Sequence, residues 1–317
     1  MRVYRESDDL VASLKQRPED FVVDEVWQPD FSGEGEHLYL FVEKTGQNTP
    51  WVADQLAKAF AVPAKHVGYS GLKDRQAITR QWFSLPVPPG KSDLEPDIEA
   101  VAIQKRARHS TKLRRGTHQG NSFQIRLREL DGSRDLVARD LVESRIAKIV
   151  DQGFPNYFGP QRFGHNGNNL RTGMQLSRSR KLTGHAKRGI YLSAMRSHLF
   201  NQVLAEQIAS GNWDKITSAA QSDIELASGP MWGRGRPLQA EMGAEIESRV
   251  VAENAELCDI LEHGGLTQER RILAQKCENL SCTFEGQDLL LEFTLPPGSY
   301  ATVLIDEIVA IRRQSAD

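Results

Sequence analysis

Cysteine is scarce in this chain of 317 residues, and the few present do not cluster. Cys258, Cys277 and Cys282 cannot all pair with one another, and none stands in a Cys-x-x-Cys spacing. A disulfide framework and a thiolate zinc site are thereby excluded, and the thiols read as reduced. Long apolar runs are missing as well. Nothing approaches the ~20 residues of a membrane span, and the segment from Met1 to Asp9 has no hydrophobic signal region, so a cytoplasmic protein is expected.

Nucleotide and zinc motifs are also lacking. Gly159-Pro160-Gln161-Arg162-Phe163-Gly164 has the glycine spacing of a phosphate loop, but His165-Asn166 stand where Lys-Ser/Thr is required. No Gly-x-Gly-x-x-Gly opens a helix after a strand, so a dinucleotide is not indicated. A zinc base deaminase needs His-x-Glu and Pro-Cys-x-x-Cys, and neither occurs.

The last absence is local. The formal net charge is only -2, yet acids vanish from Gln104 to Arg128 and again from Gln152 to Ala205. The first stretch carries Lys105, Arg106, Arg108, Lys112, Arg114, Arg115, Arg126 and Arg128. The second carries Arg162, Arg171, Arg178, Arg180, Lys181, Lys187, Arg188 and Arg196, while the balancing acids crowd into Asp223–Glu262. Such asymmetry points to one anion-facing surface on a near-neutral protein, as nucleic-acid binding requires. A solvated basic face is the plainer alternative.

What is present centres on Gly68-Tyr69-Ser70-Gly71-Leu72-Lys73-Asp74-Arg75-Gln76-Ala77. Two glycines bracket Tyr69-Ser70, so the backbone can turn tightly there or admit another molecule. Asp74 sits between Lys73 and Arg75. A carboxylate among cations suits an enzyme that attacks a sugar or base on an anionic polymer, as nucleophile or as base. A solvated turn aspartate is the competing reading. Further candidates are Phe123 and Phe293, which can stack a base but stand in strands where phenylalanine is usually core. Asn121 can bond a base edge or close a turn, and Arg162, among Tyr157, Phe158 and Phe163, can bind phosphate or stack on an aromatic ring.

Periodicity predicts strands at Phe21–Val26, His37–Lys44, Glu99–Arg106, Asn121–Arg128 and Asp288–Leu295, with strand, loop and strand around Asp74. It predicts a helix over Trp51–Phe60 with Thr49 as N-cap and Pro50 first. A second helix over Arg134–Gln152 is capped by Ser133 and ended by Gly153. Pro155–Gly173 reads as a loop, Ser193–Ser210 as helix, Gly211–Arg236 as irregular, Gln239–His263 as helix, and Ser299 as the cap of a last helix. A strand-rich first half, a helix-rich middle and a returning strand imply a middle inserted into a sheet domain.

Several segments together resemble the TruD family of tRNA pseudouridine synthases. They are Leu14-Lys15 with Pro18-Glu19-Asp20-Phe21, Gly71-Leu72-Lys73-Asp74-Arg75-Gln76-Ala77 and Asn121-Ser122-Phe123. Asn156-Tyr157-Phe158-Gly159-Pro160-Gln161-Arg162-Phe163-Gly164 and Phe293-Thr294-Leu295-Pro296-Pro297-Gly298-Ser299-Tyr300-Ala301-Thr302 complete the set, in family order and across nearly the whole chain. The resemblance implies an α+β fold, with a mixed-sheet catalytic domain over 1–151 and 268–317 interrupted by a helix-rich insertion over 152–267. It implies isomerisation of uridine to pseudouridine in tRNA, at position 13, with no cofactor, metal or nucleoside triphosphate. Asp74 matches the essential aspartate and Phe123 the aromatic held against the target base; Lys15, Asn121 and Phe293 match active-site positions. Lys73, Arg75, Arg114, Arg115 and Arg162 are expected to face RNA, and Arg178, Arg180 and Lys181 to grip the tRNA elbow or arm. The partner is tRNA, no membrane or protein partner is implied, and a monomer is expected. A tRNA chaperone with an incidental Asp74, and a glycosidase that releases free uracil, are the alternatives. The latter chemistry commonly uses a carboxylate pair, for which only Asp24 or Glu25 could supply the second member.

Overall fold

The structure is a computed structural model that describes residues 1–5, 10–179, 181–182, 184–185, 187–214, 216–219, 223–235 and 243–312. The chain divides into two compact units. One comprises Asp9–Glu143, Cys277–Gly298 and Ala310–Asp317; the other comprises Met1–Asp8, Ser144–Lys276 and Ser299–Val309.

The first unit is built on an eight-stranded mixed sheet. Its strands, numbered along the chain, are β1 (Phe21–Val26), β2 (His37–Thr45), β3 (Gly68–Tyr69), β4 (Ile78–Pro86), β5 (Val101–His109), β6 (Gly120–Leu127), β7 (Glu278–Glu285) and β8 (Asp288–Leu295). The order across the sheet is β7-β8-β6-β1-β4-β2-β5, with β3 added to β4. Only β1 and β4 run parallel; every other pair is antiparallel.

Cross-strand partners point to the same face of a sheet, so the register assembles one surface. Phe293 faces Phe123, Phe123 faces Val23, Asn121 faces Glu25, Val23 faces Thr79, and Thr79 faces Lys44. The far end of this face is covered by α1 (Thr49–Ala59), whose Val52, Leu56 and Ala57 pack with Phe60 on Leu38, Leu40, Val42, Phe83 and Leu85. The polar end is left for the segment between β3 and β4, which carries Asp74. On the opposite face Tyr39 and Trp82 are buried beneath Trp27 and Phe31.

Two helix starts differ from expectation. Thr49 is the first residue of α1 and Asn48 precedes it as N-cap; the Thr49 hydroxyl does not cap because it is used elsewhere in the fold. The second helix, α2 (Leu136–Gln152), begins after Asp135, whose carboxylate accepts the Val137 N–H at 3.0 Å in place of a Ser133 cap. Gly153 does end it, at φ 87°.

The second unit is helix-rich, with α3 (Asn168–Arg178), α4 (Arg188–Ala209), α5 (Ala244–Glu253), α6 (Ala255–His263) and α7 (Ala301–Ile308). The end of the expected Pro155–Gly173 loop is helical. Gly173 there is a contact residue, since a Cβ would lie 3.0 Å from that of Tyr191 on α4. Residues 211–235 contain short strands at Ile216–Ala219, Asp223–Leu226 and Ser228–Met231. The predicted helix over Gln239–His263 is two helices broken at Asn254, and its first residues, with Arg236, lie outside the described residues. The last helix is preceded by Tyr300, not Ser299, and no side chain among the described residues caps it.

Candidate active site

The Asp74 loop, residues 70–77, crosses the polar end of the sheet face. Its backbone is held by three side chains that are essentially inaccessible to solvent. Gln81 on β4 donates from Nε2 to the Gly71 carbonyl at 3.0 Å. Thr49 of α1 accepts the Lys73 N–H at 3.0 Å and donates to Gln81 Oε1 at 3.0 Å. Lys44 on β2 donates to the Asp74 carbonyl at 2.8 Å.

The Asp74 carboxylate is 35% exposed and accepts from Lys15 Nζ at 2.9 Å. Lys15 is itself unusual: its φ is 57°, a left-handed conformation uncommon for a residue with a Cβ, and its ammonium stands 3.9 Å above the ring of Phe21. Phe21 meets Phe123 edge-on at 6.1 Å, and Phe123 stacks on Phe293 at 5.2 Å with ring planes 24° apart. Asp74, Lys15 and an aromatic floor of Phe21, Phe123 and Phe293 thus form one continuous cluster. Within it Phe293 is only 2% exposed and Phe123 8%. Phe293 is the backing of Phe123 and not a second open platform.

Lys73 turns away from solvent. Its ammonium donates to Asn121 Oδ1 at 2.7 Å and to Glu25 Oε2 at 3.2 Å, with the two charged side chains 4% and 0% exposed. Glu25 also accepts the Ser70 hydroxyl and, at 3.2 Å, the Trp82 N–H. Burial pushes the Lys73 amine down, and the Glu25 charge opposes that shift. Because Asn121 spends its oxygen on Lys73, its Nδ2 remains as a hydrogen-bond donor. His118 packs against Gly71, and burial reinforced by the Lys73 charge pushes its imidazole down, favouring the neutral form.

Much of the basic character in the first acid-free stretch is paired through space. Arg106 reaches Glu95, Arg108 bonds the carbonyls of Val87 and Pro88, Arg126 pairs with Glu285, and Arg128 with Asp20. What stays exposed is Lys105 on β5, over the ring of Phe41, and the loop of Lys112, Arg114 and Arg115. Buried Leu113 anchors that loop through its N–H to the Ser84 hydroxyl at 2.9 Å, and the Gly116 N–H donates to the Ser70 carbonyl at 2.8 Å. It therefore abuts the Asp74 loop, with Arg115 donating to the Tyr69 hydroxyl at 3.1 Å and lying 5.3 Å from that ring. Arg75 is exposed and makes a 3.3 Å bond to the Gly46 carbonyl.

Arg162 belongs to the helix-rich unit, bonded to the Tyr300 hydroxyl and Ser193 Oγ, both at 2.9 Å, and set over Phe158. In the same unit Arg178 makes a two-pronged pair with Glu256 at 2.7 and 2.8 Å, and Arg180 lies outside the described residues.

Nothing in the local sequence marks Lys44, Gln81 or Ser70 as part of the site, and Glu25 stands out only as a distant carboxylate. The strand period carries the signal. Lys44 continues the alternation of Leu38, Leu40 and Val42, Gln81 that of Phe83 and Leu85, and Glu25 that of Phe21 and Val23. Polar residues in phase with a buried face are the exception that needs a partner.

Burial moves the Lys44 amine from 10.5 to about 8, with Asp74 raising it and Lys73 lowering it further. Between those values the unfolded chain holds more protons than the folded one, so this group's contribution to stability rises with pH and is lost as pH falls through about 8. Denaturant unfolding of wild type and Lys44→Met at pH 7.0 and ~10 should therefore show the wild type gaining on the variant at the higher pH. A difference independent of pH contradicts that assignment.

The chain matches the family model for tRNA pseudouridine synthase D (TruD) over residues 1–181 and 212–308. It is 41% identical to the tRNA pseudouridine synthase D of Pseudomonas fluorescens, covering 94% of this chain and 91% of that one. It is likewise 41% identical to the protein of that name from Cellvibrio japonicus, over 96% of this chain and 90% of the relative. A crystal structure assigned to tRNA pseudouridine synthase D (TruD) from Methanosarcina mazei superposes with a TM-score of 0.74 over 98% of this chain and 95% of the other. At 18% identity that likeness speaks to the α+β fold alone.

Proposed function

This chain belongs to the tRNA pseudouridine synthase D (TruD) family, and from that premise we propose that it isomerises uridine to pseudouridine in tRNA, at position 13, with Asp74 as the essential carboxylate. The observation that carries the assignment is the aimed carboxylate. It is partly exposed, fixed by Lys15 at 2.9 Å, and adjoins the Phe21–Phe123–Phe293 floor.

The reaction leaves the composition of the substrate unchanged. The N1–C1′ bond breaks, the uracil turns in place, C5 bonds to C1′, and the proton on C5 is exchanged for one on N1. The Asp74 carboxylate can start this by attacking C1′, or by taking a sugar proton to give a glycal. In either case the uracil must stay in the pocket while it is detached. The Phe123 ring, held by Phe293 behind it and Phe21 at its edge, supplies a flat apolar contact that survives rotation of the base. Asn121, with its Nδ2 free to donate, suits a uracil carbonyl, and Lys73 serves this role from behind by fixing the amide. The target nucleotide must leave the stack, at a cost of a few kcal/mol offset by pocket and phosphate contacts.

Glu25 argues against a paired-carboxylate glycosidase. It is fully buried and already accepts from Lys73, Ser70 and Trp82, so it is no second acid facing substrate. Digestion of the treated tRNA should yield pseudouridine and no free uracil; released uracil with an abasic site would reverse this choice.

Lys112, Arg114 and Arg115, with Arg75, are proposed to hold RNA phosphates beside the target; Arg162, in the other unit, is proposed as a separate phosphate contact. Replacing Arg114 and Arg115 together by glutamine should weaken tRNA binding and flatten its log–log salt dependence by about 1–2, the scale of one or two lost phosphate contacts. An unchanged slope would take the loop out of the interface. We read residues 152–267 as an insertion into a catalytic domain of 1–151 and 268–317; the compact grouping of Ser144–Lys276 supports the inner part, though Met1–Asp8 and Ser299–Val309 group with it.

A further inference from the structure

We propose that Lys44, Thr49 and Gln81 are positioning residues of the reaction, holding the backbone of the Asp74 loop where it presents the carboxylate to the ribose. The inference rests on the reading of Asp74 as the reacting carboxylate.

The Gly71 carbonyl, the Lys73 N–H and the Asp74 carbonyl lie outside the strands that border the loop. Each is met by one buried side chain: Gln81 donates to the first, Thr49 accepts from the second, and Lys44 donates to the third. Every residue of the loop carries one N–H and one C=O, so it is the fixed places of Gln81, Thr49 and Lys44 on the sheet and helix that set where the loop backbone lies. Thr49 and Gln81 are bonded to each other, which fixes the Gln81 amide with its nitrogen toward Gly71. The three come from α1, β4 and β2, so the loop is referenced to the sheet and to the helix packed on it.

Lys44 is the most telling member. It has no measurable exposure, and among the described residues the hydrogen bond of its ammonium goes to a backbone carbonyl rather than to a carboxylate. Burial lowers its pKa to about 8, the mark of a charge kept where it is costly. An apolar residue in phase with Leu38, Leu40 and Val42 would fill the site at lower cost but could not hold the Asp74 carbonyl. A loop that carries the reacting group gains from this arrangement, since misplacement by ~1 Å can cost ~10²-fold in rate.

The test uses Lys44→Met, Thr49→Val and Thr49→Ser beside Asp74→Asn and wild type, on the full chain with a tRNA transcript. Lys44→Met and Thr49→Val should melt within a few degrees of wild type and bind tRNA within about threefold, while the single-turnover rate at saturating enzyme falls ~30–300-fold. Thr49→Ser, which keeps the hydroxyl, should retain the wild-type rate within about threefold. Wild-type rates in Lys44→Met and Thr49→Val overturn the proposal, and so does a loss seen only in tRNA affinity. If Lys44→Met fails to fold, the Thr49 pair decides alone. A fully active Asp74→Asn would remove the underlying reading; an inactive Asp74→Asn with fully active Lys44→Met and Thr49→Val would remove only this inference.

Discussion

Asp74→Asn should lower the single-turnover rate of pseudouridine formation by at least ~10³-fold, the scale of losing a nucleophile or a positioned acid–base group. Asparagine nearly preserves the shape of aspartate, so the loop bonds from Lys44, Thr49 and Gln81 to backbone atoms remain. What goes is the anionic oxygen, and with it the charge on the Lys15 contact. Binding of tRNA should hold or tighten slightly, because the substitution removes a negative charge facing an anionic ligand. Quench-flow turnover and filter binding on the same preparation separate the two effects. A variant within tenfold of wild type in rate would show that Asp74 neither attacks the sugar nor takes its proton. Retained RNA remodelling without any turnover in the wild type would instead favour the chaperone.

The second large effect concerns stability. Lys73→Met should destabilise the protein by about 3–5 kcal/mol, the usual consequence of removing one partner of a buried ion pair. Glu25 would be left as an inaccessible carboxylate, supported by the Ser70 hydroxyl and the Trp82 N–H. Adding Glu25→Gln should recover most of the loss, since a neutral amide oxygen can still accept those bonds. Activity should not return, because Asn121 would still lack the donor that turns its Nδ2 outward. Thermal or urea unfolding of the single and double variants, paired with turnover, provides the cycle. Equal stability of Lys73→Met and wild type would mean that the pair is not buried in solution. Recovered turnover in the double variant would mean that Asn121 needs no fixing.

Sequence pattern alone reached far into the sheet. Phe21–Val26 is a strand at its predicted bounds, and Leu38, Leu40 and Val42, like Phe123, Ile125 and Leu127, recur at the two-residue period of the strands that hold them. Those residues face one way because a two-residue period has no other solution once one face is buried. Pattern was weakest where tertiary contacts override local chemistry. Thr49 has the right type and place for an N-cap, yet its hydroxyl is spent on Lys73 and Gln81. Gly173 looked like a loop residue because glycine disfavours helices, but the approach of Tyr191 makes its missing Cβ useful.

The site was legible as a set of residues and not as roles. Lys73 and Arg75 flank Asp74 in sequence and look alike, yet one is buried against Glu25 and the other is exposed. The acid-free run through Arg128 suggests a broad basic face; pairing with Asp20, Glu95, Glu285 and nearby carbonyls leaves the Lys112–Arg115 loop and Lys105 exposed. Linear charge runs do not see partners that arrive from distant segments. The contact of Lys15 with Asp74, fifty-nine residues apart, is of the same kind.

The measurement that bears most directly on the function is tritium release from tRNA transcribed with uridine labelled at C5, with nucleoside analysis of the same RNA. The account predicts one tritium released per pseudouridine formed, no free uracil, and neither product from Asp74→Asn although that variant still binds the tRNA. Tritium retained with the substrate bound, or equal release by wild type and Asp74→Asn, would contradict it.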